Sequence, residues 1–402
     1  MYKRKEFCVL RARLMEPARR IQVVTGPRQV GKTTMVRQVM EALEKQGVNT
    51  LYASADLYAF GGAVWIEERW NAARVQSMET RTVLILDEIQ KVSNWSEIVK
   101  FLWDQETSRK TPISVVLLGS SALLIQKGLS ESLAGRFEII RMGHWSFLEM
   151  QNSFGFNLEQ FLVYGGYPGG ADLIGDFNRW RSYILDSLIE TSISKDILMM
   201  ARVEKPILLR NLFMLACEYP CRILSYTKIL GQLQDTGNTT TLAHYLDLLQ
   251  GAGLITGLKK YCGSVVRKRG SSPKLLPMNT ALISAVQGIN MKTLEENPQT
   301  RGWFVEAAVG AYVYGKISGN PEEKLSYWNI GDSEVDFVYT RGNAVTGLEV
   351  FSGTRGHTHR GMEQFRRKFP SSTTLLIGGE GLPLEKALSL NPAELIEVSN
   401  PM

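Results

Sequence analysis

Gly26-Pro27-Arg28-Gln29-Val30-Gly31-Lys32-Thr33-Thr34 stands directly after the apolar run IQVVT, Ile21–Thr25, and opens a stretch of helical periodicity. It matches G-x-x-x-x-G-K-[ST] in the strand-to-helix setting that gives the motif its meaning. The glycines let the backbone curl until successive N–H groups of residues 26–34 converge on phosphate oxygens. The helix N-terminus adds its positive partial charge. The ligand expected here is ATP with Mg2+. Lys32 reaches the β- and γ-phosphates, Thr33 gives its hydroxyl to the metal and Thr34 contacts the α-phosphate, while the role of the Arg28 side chain stays open.

Further along, Asp87 ends the apolar run TVLILD, Thr82–Asp87, and Glu88 follows it. Carboxylates emerging from a buried strand are costly unless they meet a cation. Beside the loop, Asp87 is placed to hold the Mg2+ shell and Glu88 to polarise the attacking water. The second carboxylate favours hydrolysis over phosphoryl transfer to another substrate, so an ATP hydrolase is expected.

Working outward, IQVVT and TVLILD are two of five short apolar runs. The others are TLYASA at 50–55, ISVVLLG at Ile113–Gly119 and FEIIRM at 137–142, with helix-like segments such as 32–46 and 95–108 between them. Strands this apolar are buried on both faces, which requires a parallel sheet covered by helices, an α/β fold. Strand signals vanish from about 151, helices followed by a basic hairpin occupy 207–275, and alternating strands return after a helix near 300. The domains expected are a basic N-terminal arm at 1–20, an ATPase core at 21–150, a helical segment at 151–206, a helix-plus-hairpin module at 207–275 and a C-terminal α/β domain at 276–402.

Of 402 residues, 44% are hydrophobic and 21% charged, which excludes wholesale disorder and collagen-like or mucin-like chains. Net charge is +6, an excess that permits an anionic partner without demanding one. Cys8, Cys217, Cys221 and Cys262 are too few and scattered for a disulfide framework, and Cys217 and Cys221 read as buried small hydrophobes rather than zinc ligands. The basic N-terminus lacks an apolar stretch of secretory length, and the apolar stretch 113–125 is too short to span a bilayer, so a cytoplasmic protein without membrane contact is expected.

With these residues in view, the chain resembles the AAA-type P-loop ATPases of bacteria and archaea that carry a C-terminal domain of unknown function. The stretches that carry the resemblance are GPRQVGKTT (26–34), LILDEIQ (84–90), LLGSSALLI (117–125), LAGRFEIIRM (133–142), YGGYP (164–168) and EVDFV (334–338). The resemblance implies an ATPase core with a helical lid at 151–206, a winged helix at 207–275 and a restriction-endonuclease-like fold at 276–402. It also implies that Ser120, after strand VVLLG, senses the γ-phosphate. A helix N-cap explains Ser120 and Ser121 equally well. Arg136 is the candidate to neutralise transition-state charge, in cis or across a subunit interface, against the alternative of a surface ion pair. Pro168, in Gly165-Gly166-Tyr167-Pro168, is similar to the G-x-P element that related signalling ATPases lay over adenine, although Gly and Pro also end helices.

In the expected winged helix, Asn238 or Thr239 caps a helix whose Leu242, Tyr245, Leu246 and Leu249 fall on one face. Lys259, Lys260, Arg267, Lys268, Arg269 and Lys274 follow with no acidic residue among them, the footprint of a wing on DNA phosphates. The alternative is a structural module that relays nucleotide state to a protein partner. In the C-terminal domain a helix Glu306 and strand residues Asp336 and Glu349 have the layout of a nuclease metal site. The pattern needs a lysine two residues after the last glutamate, where Phe351 stands, and nothing in the spacing of Lys316, Arg355 or Arg360 argues for a substitute. A degenerate second site, used for binding or self-association, is expected rather than an active nuclease. His357 and His359 read as solvent-exposed.

The leading expectation is an Mg2+-dependent ATPase that drives its C-terminal regions against DNA or a protein partner. A nucleotide-gated switch with little turnover and an ATP-dependent nuclease are the alternatives.

Overall fold

A computed structural model of the chain describes residues 2–57, 62–109, 113–119, 129, 132–199, 202–233, 238–263, 272–351 and 360–399. Two compact units divide it, Met1–Met142 and Gly143–Met402.

The first unit is built on five parallel strands, β1 (Ile21–Thr25), β2 (Asn49–Ser54), β3 (Thr82–Asp87), β4 (Ile113–Gly119) and β5 (Phe137–Arg141), in the order β2-β3-β4-β1-β5. The three central strands are buried along their whole length, whereas β2 and β5 are half-buried edges. The α/β fold expected from the apolar runs is present. Registers align the strand ends: Thr25 lies beside Gly119 and Arg141, and Ser54 beside Asp87. The loops after β1 and β3 therefore leave from one edge of the sheet, where open α/β sheets bind ligands.

Helices α1 (Lys5–Met15) and α2 (Lys32–Glu44) cover one face through Phe7, Leu10, Leu14, Met35, Val36 and Val39. Helices α3 (Gly62–Ser77) and α4 (Trp95–Arg109) cover the other through Trp65, Trp70, Val99 and Trp103. The basic stretch 1–20 is thus no separate arm. Its apolar residues recur at helical spacing, and α1 packs into the core of the first unit.

In the second unit the segments expected to part at 206 and 275 form one body. The 20-residue helix Pro298–Ile317 unites them, packing its buried face against helix Leu158–Tyr164 and two strands, β7 (Lys274–Pro277) and β8 (Glu323–Ile330). β7 pairs antiparallel with β6 (Ile255–Leu258). A separate sheet runs β11-β10-β9-β8, with β9 (Ser333–Arg341) and β10 (Ala344–Val350) completing an antiparallel meander and β11 (Thr373–Ile377) parallel to β10. Helix Thr239–Gly251 is capped by Asn238, whose side chain accepts from Thr240 N, and buries Leu242, Tyr245, Leu246 and Leu249. No described helix is long and apolar enough to cross a membrane.

Candidate functional site

The loop 26–31 takes its shape from a few backbone positions. Gly26 passes so close to Met142 that a Cβ would lie 2.0 Å from the Met142 carbonyl oxygen, so no larger residue fits. Gln29 (φ 60°) and Gly31 (φ 86°) adopt left-handed geometry, the kind of alternation that turns consecutive N–H groups to one side. Helix α2 then starts at Lys32. The Lys32 ammonium folds back and donates to the carbonyls of Gly26 (2.8 Å) and Pro27 (2.6 Å), which parks a buried cation on the loop's own oxygens. From the far side Arg4, buried just before α1, donates to the Val30 carbonyl at 3.3 Å.

Asp87 faces this loop. Its Oδ2 accepts from the Thr33 hydroxyl at 3.1 Å and from the Tyr52 hydroxyl at 2.6 Å, while Oδ1 accepts from Glu88 N at 2.9 Å. The two residues assigned to magnesium from sequence are therefore in contact. Ligands at neighbouring corners of an Mg2+ octahedron lie about 3 Å apart, so a hydroxyl and a carboxylate oxygen at this separation fit that hard cation. Glu88 leaves the end of β3 with a left-handed φ of 53°, and Gln90 donates to its Oε2 at 2.6 Å.

Tyr52 was not visible as a site residue in the sequence. It comes from β2, which pairs with β3, and the Arg37 guanidinium sits 5.5 Å from its ring centroid. Burial, together with the hydrogen bond and charge of Asp87, pushes its hydroxyl well above the usual phenol range, so it is a permanent donor to the carboxylate. A hydroxyl-bearing residue near the end of the strand beside the acidic one is the signal that could have flagged it.

Other expected site residues lie elsewhere. Arg136 grips Asp104 of α4 with two hydrogen bonds, Nε to Oδ1 at 2.7 Å and Nη2 to Oδ2 at 3.1 Å; the surface ion pair, not the phosphate loop, holds its side chain. Each partner stabilises the other's charge: the hydrogen bond from Arg136 lowers the Asp104 pKa and raises its own. Ser120, Ser121, Arg267, Lys268, Arg269, Arg355, His357 and His359 lie outside the described residues.

Pro168 begins a short helical turn in the second unit, and the glycines before it have structural duties there. A Cβ on Gly165 would lie 2.0 Å from Asn279 Oδ1, and one on Gly166 would lie 2.0 Å from the Trp145 carbonyl oxygen. Asn279 Oδ1 accepts from Gly166 N and Ala281 N, both at 3.1 Å, and its Nδ2 meets His144 Nδ1 at 3.2 Å. His144 Nε2 meets the Gly253 carbonyl at 2.9 Å. Close backbone packing accounts for the Gly-Gly pair that precedes Pro168, the residue read from sequence as the adenine contact.

The basic set divides. Lys259 is exposed and Lys260 half-buried, bridging to Tyr327 of β8. Lys274 corrects the sequence reading: it is wholly buried and cannot meet DNA. Its ammonium lies 2.7 Å from Glu306, 3.0 Å from Glu334 and 3.6 Å from Asp336 Oδ1, and also donates to the Asp336 carbonyl at 3.1 Å. The reason is register: opposite Leu258 in the hairpin, Lys274 points into the unit rather than along a wing. Burial disfavours its charge, yet Glu306, Asp336 and Glu334 outweigh that and hold its pKa well above the usual lysine value.

The carboxylates answer in kind. Burial and the neighbouring acids, opposed by Lys274, push Glu306 up to about 7 and Glu349 up to about 9. Glu306 and Asp336 thus meet at the Lys274 ammonium, and the charges of Asp336, Lys274 and Glu306 reach Glu349. Among the described residues no three His, Cys, Asp or Glu side chains are grouped so as to hold a metal ion. Cys217 and Cys221 are buried, and burial pushes both thiols up, away from the thiolate form that binds zinc.

Two family models match parts of the chain. Residues 18–151 match the family model of the AAA domain, and residues 155–293 match a domain of unknown function (DUF8612). An uncharacterized protein of Haemophilus influenzae is 26% identical over 261 residues, 60% of this chain and 62% of that protein. The chain therefore spans less than two thirds of that relative. An uncharacterized protein of Mycobacterium tuberculosis is 26% identical over 346 residues, 84% of this chain and 72% of the relative. Among solved structures, the Walker-type ATPase of Pyrococcus abyssi superposes with a TM-score of 0.49 at 14% identity, covering 71% of this chain and 96% of its own. The chain carries an AAA-type P-loop ATPase domain followed by a domain of unknown function.

Proposed function

We propose that the chain is an Mg2+-dependent ATP hydrolase whose nucleotide state is coupled to DNA binding by the second unit. The observation that carries the reading is the 3.1 Å hydrogen bond between Thr33 and Asp87, with Glu88 next in the chain. Backbone amides of residues 26–34 take the phosphates, and Lys32 exchanges the Gly26 and Pro27 carbonyls for β- and γ-phosphate oxygens. Thr33 and Asp87 hold the metal, and Tyr52 keeps the Asp87 carboxylate oriented. When bound, Mg2+ neutralises charge developing on the transferred phosphoryl group. Glu88, released from Gln90, accepts a proton from the attacking water.

DNA is the proposed macromolecular partner because Lys259 is exposed beside the β6–β7 hairpin, read as the wing of a winged helix, with Arg267, Lys268 and Arg269 following in sequence. Cytoplasmic location is part of the same reading. The cluster around Lys274 belongs to a degenerate nuclease-like domain, its positive charge supplied from within.

The test is Glu88→Gln. It retains ATP affinity in a fluorescent-nucleotide titration and slows steady-state turnover by about 10²–10⁴-fold, the usual contribution of a positioned base. Turnover at the wild-type rate would overturn the assignment.

A further inference from the structure

The chain segment that leaves β6 does not project alone. Tyr261 N donates to the Tyr327 carbonyl of β8 at 2.6 Å, and Tyr327 N donates to the Lys259 carbonyl at 3.1 Å, so residues 259–261 run along the edge of the C-terminal sheet. The Tyr261 ring then packs edge-on against Phe369 at 4.9 Å and near Phe365 at 6.1 Å. A Cβ on Gly263 would lie 2.9 Å from the Phe369 ring, so the backbone itself leans on that aromatic. Phe365 and Phe369 belong to helix Arg360–Lys368 and the residue after it.

That helix buries Met362 and Phe365 and turns Arg360, Arg366, Arg367 and Lys368 to solvent, with Glu363 as its exposed acid. Among the described residues, none of Arg366, Arg367 and Lys368 has an ion-pair partner; Lys368 lies 6.0 Å from the Phe369 ring centroid. One cation is enough to complement a helix C-terminus, and three consecutive ones exceed that need.

We propose that Arg366, Arg367 and Lys368 form, with Lys259 and Lys260, one continuous surface for the phosphate backbone of duplex DNA. The inference rests on the DNA reading above and adds the C-terminal helix as its second half. The chemistry favours a regular polyanion. The helix offers no exposed apolar anchor of the sort protein interfaces centre on, and its apolar face is already buried in the unit, leaving none to enter a membrane. Backbone recognition of this kind is indifferent to sequence and strongly salt-dependent.

The experiment measures full-length chain binding to a fluorescein-labelled random-sequence duplex by anisotropy at several salt concentrations. Arg366→Ala/Arg367→Ala/Lys368→Ala should weaken binding by about 10-fold or more, and should flatten the log–log salt slope by about 0.9 for each phosphate no longer neutralised. Arg367→Glu, a single change checked for a wild-type melting curve, should weaken binding in the same direction. If wild type binds duplex and both variants match it in affinity and slope, this inference falls while the DNA reading survives. If wild type binds no duplex, or binds phosphatidylserine vesicles instead, both fall together.

Discussion

Asp87 in the first unit and the Glu306–Glu334–Asp336–Glu349 group in the second present carboxylates from buried strands and a helix, and they meet opposite fates. Around Asp87 the donors are neutral: two hydroxyls and one backbone N–H. The nearest ammonium shown in the loop, Lys32, is turned onto carbonyl oxygens. In the proposed function, the positive charge that a buried carboxylate requires is brought by Mg2+. In the second unit Lys274 is buried within the acids and supplies that charge permanently. Carboxylate count alone does not make a metal site; what matters is whether the protein has already compensated the charge.

The contrast can be broken by removing the internal cation. Lys274→Met leaves the half-buried Glu306 and Asp336 without their buried cation and should destabilise the second unit by about 3 kcal/mol, the low end of the cost of breaking a buried ion pair from one side, because the acids keep contact with solvent. Thermal unfolding followed by circular dichroism, beside nucleotide binding by the first unit, checks it. An unchanged melting temperature would mean the acids do not need Lys274.

A smaller effect is expected where the donors are neutral. Tyr52→Phe removes one of the two hydroxyls on Asp87 Oδ2, and deleting such an outer hydrogen bond should weaken the apparent Mg2+ affinity by about 10-fold. Titrating Mg2+ against ATP turnover reads this directly, with folding monitored separately. An unaltered titration would show that Thr33 and the Glu88 amide suffice to orient the carboxylate.

The smallest effect concerns pH. Glu349, held up to about 9, stays protonated in the folded chain at neutral pH, whereas in the unfolded chain it ionises above about 4.5. Across that interval the unfolded state binds fewer protons, so this group's stabilising contribution is complete below about 4.5 and is lost as pH rises toward 9. Glu349→Gln is neutral throughout and should narrow the difference in melting temperature between pH 6 and pH 7 by about 3–5 °C, one pH unit being worth about 1.4 kcal/mol. A pH dependence identical to wild type would show that Glu349 titrates normally.

Much of the first unit was legible because its signals are local. A strand buried on both faces must be apolar along its length, and Ile21–Thr25, Thr82–Asp87 and Ile113–Gly119 are buried throughout. A backbone that wraps phosphate needs glycine at fixed positions, and Gly26 against Met142 shows why one of them admits nothing larger. The acidic residue at the end of β3 could be named in advance because its position in the strand brings it to the loop's edge of the sheet. Arg136 and the Gly-Gly pair before Pro168 were harder, since a surface ion pair and a tight helix packing use the same letters as catalysis and adenine contact.

What the amino-acid order alone determined was the apolar strands, the phosphate loop and the two residues, Thr33 and Asp87, offered to a metal, each specified by residues within one strand, turn or helix. Only the tertiary structure decided that Tyr52 leans on Asp87, that α1 belongs to the ATPase core, and that Lys274 faces inward to three carboxylates rather than outward to a polyanion. A basic residue in a hairpin has the same spelling on either face. Which face is buried depends on the strand that pairs with it and on the acids arriving from distant parts of the chain, and neither is written in its own neighbourhood.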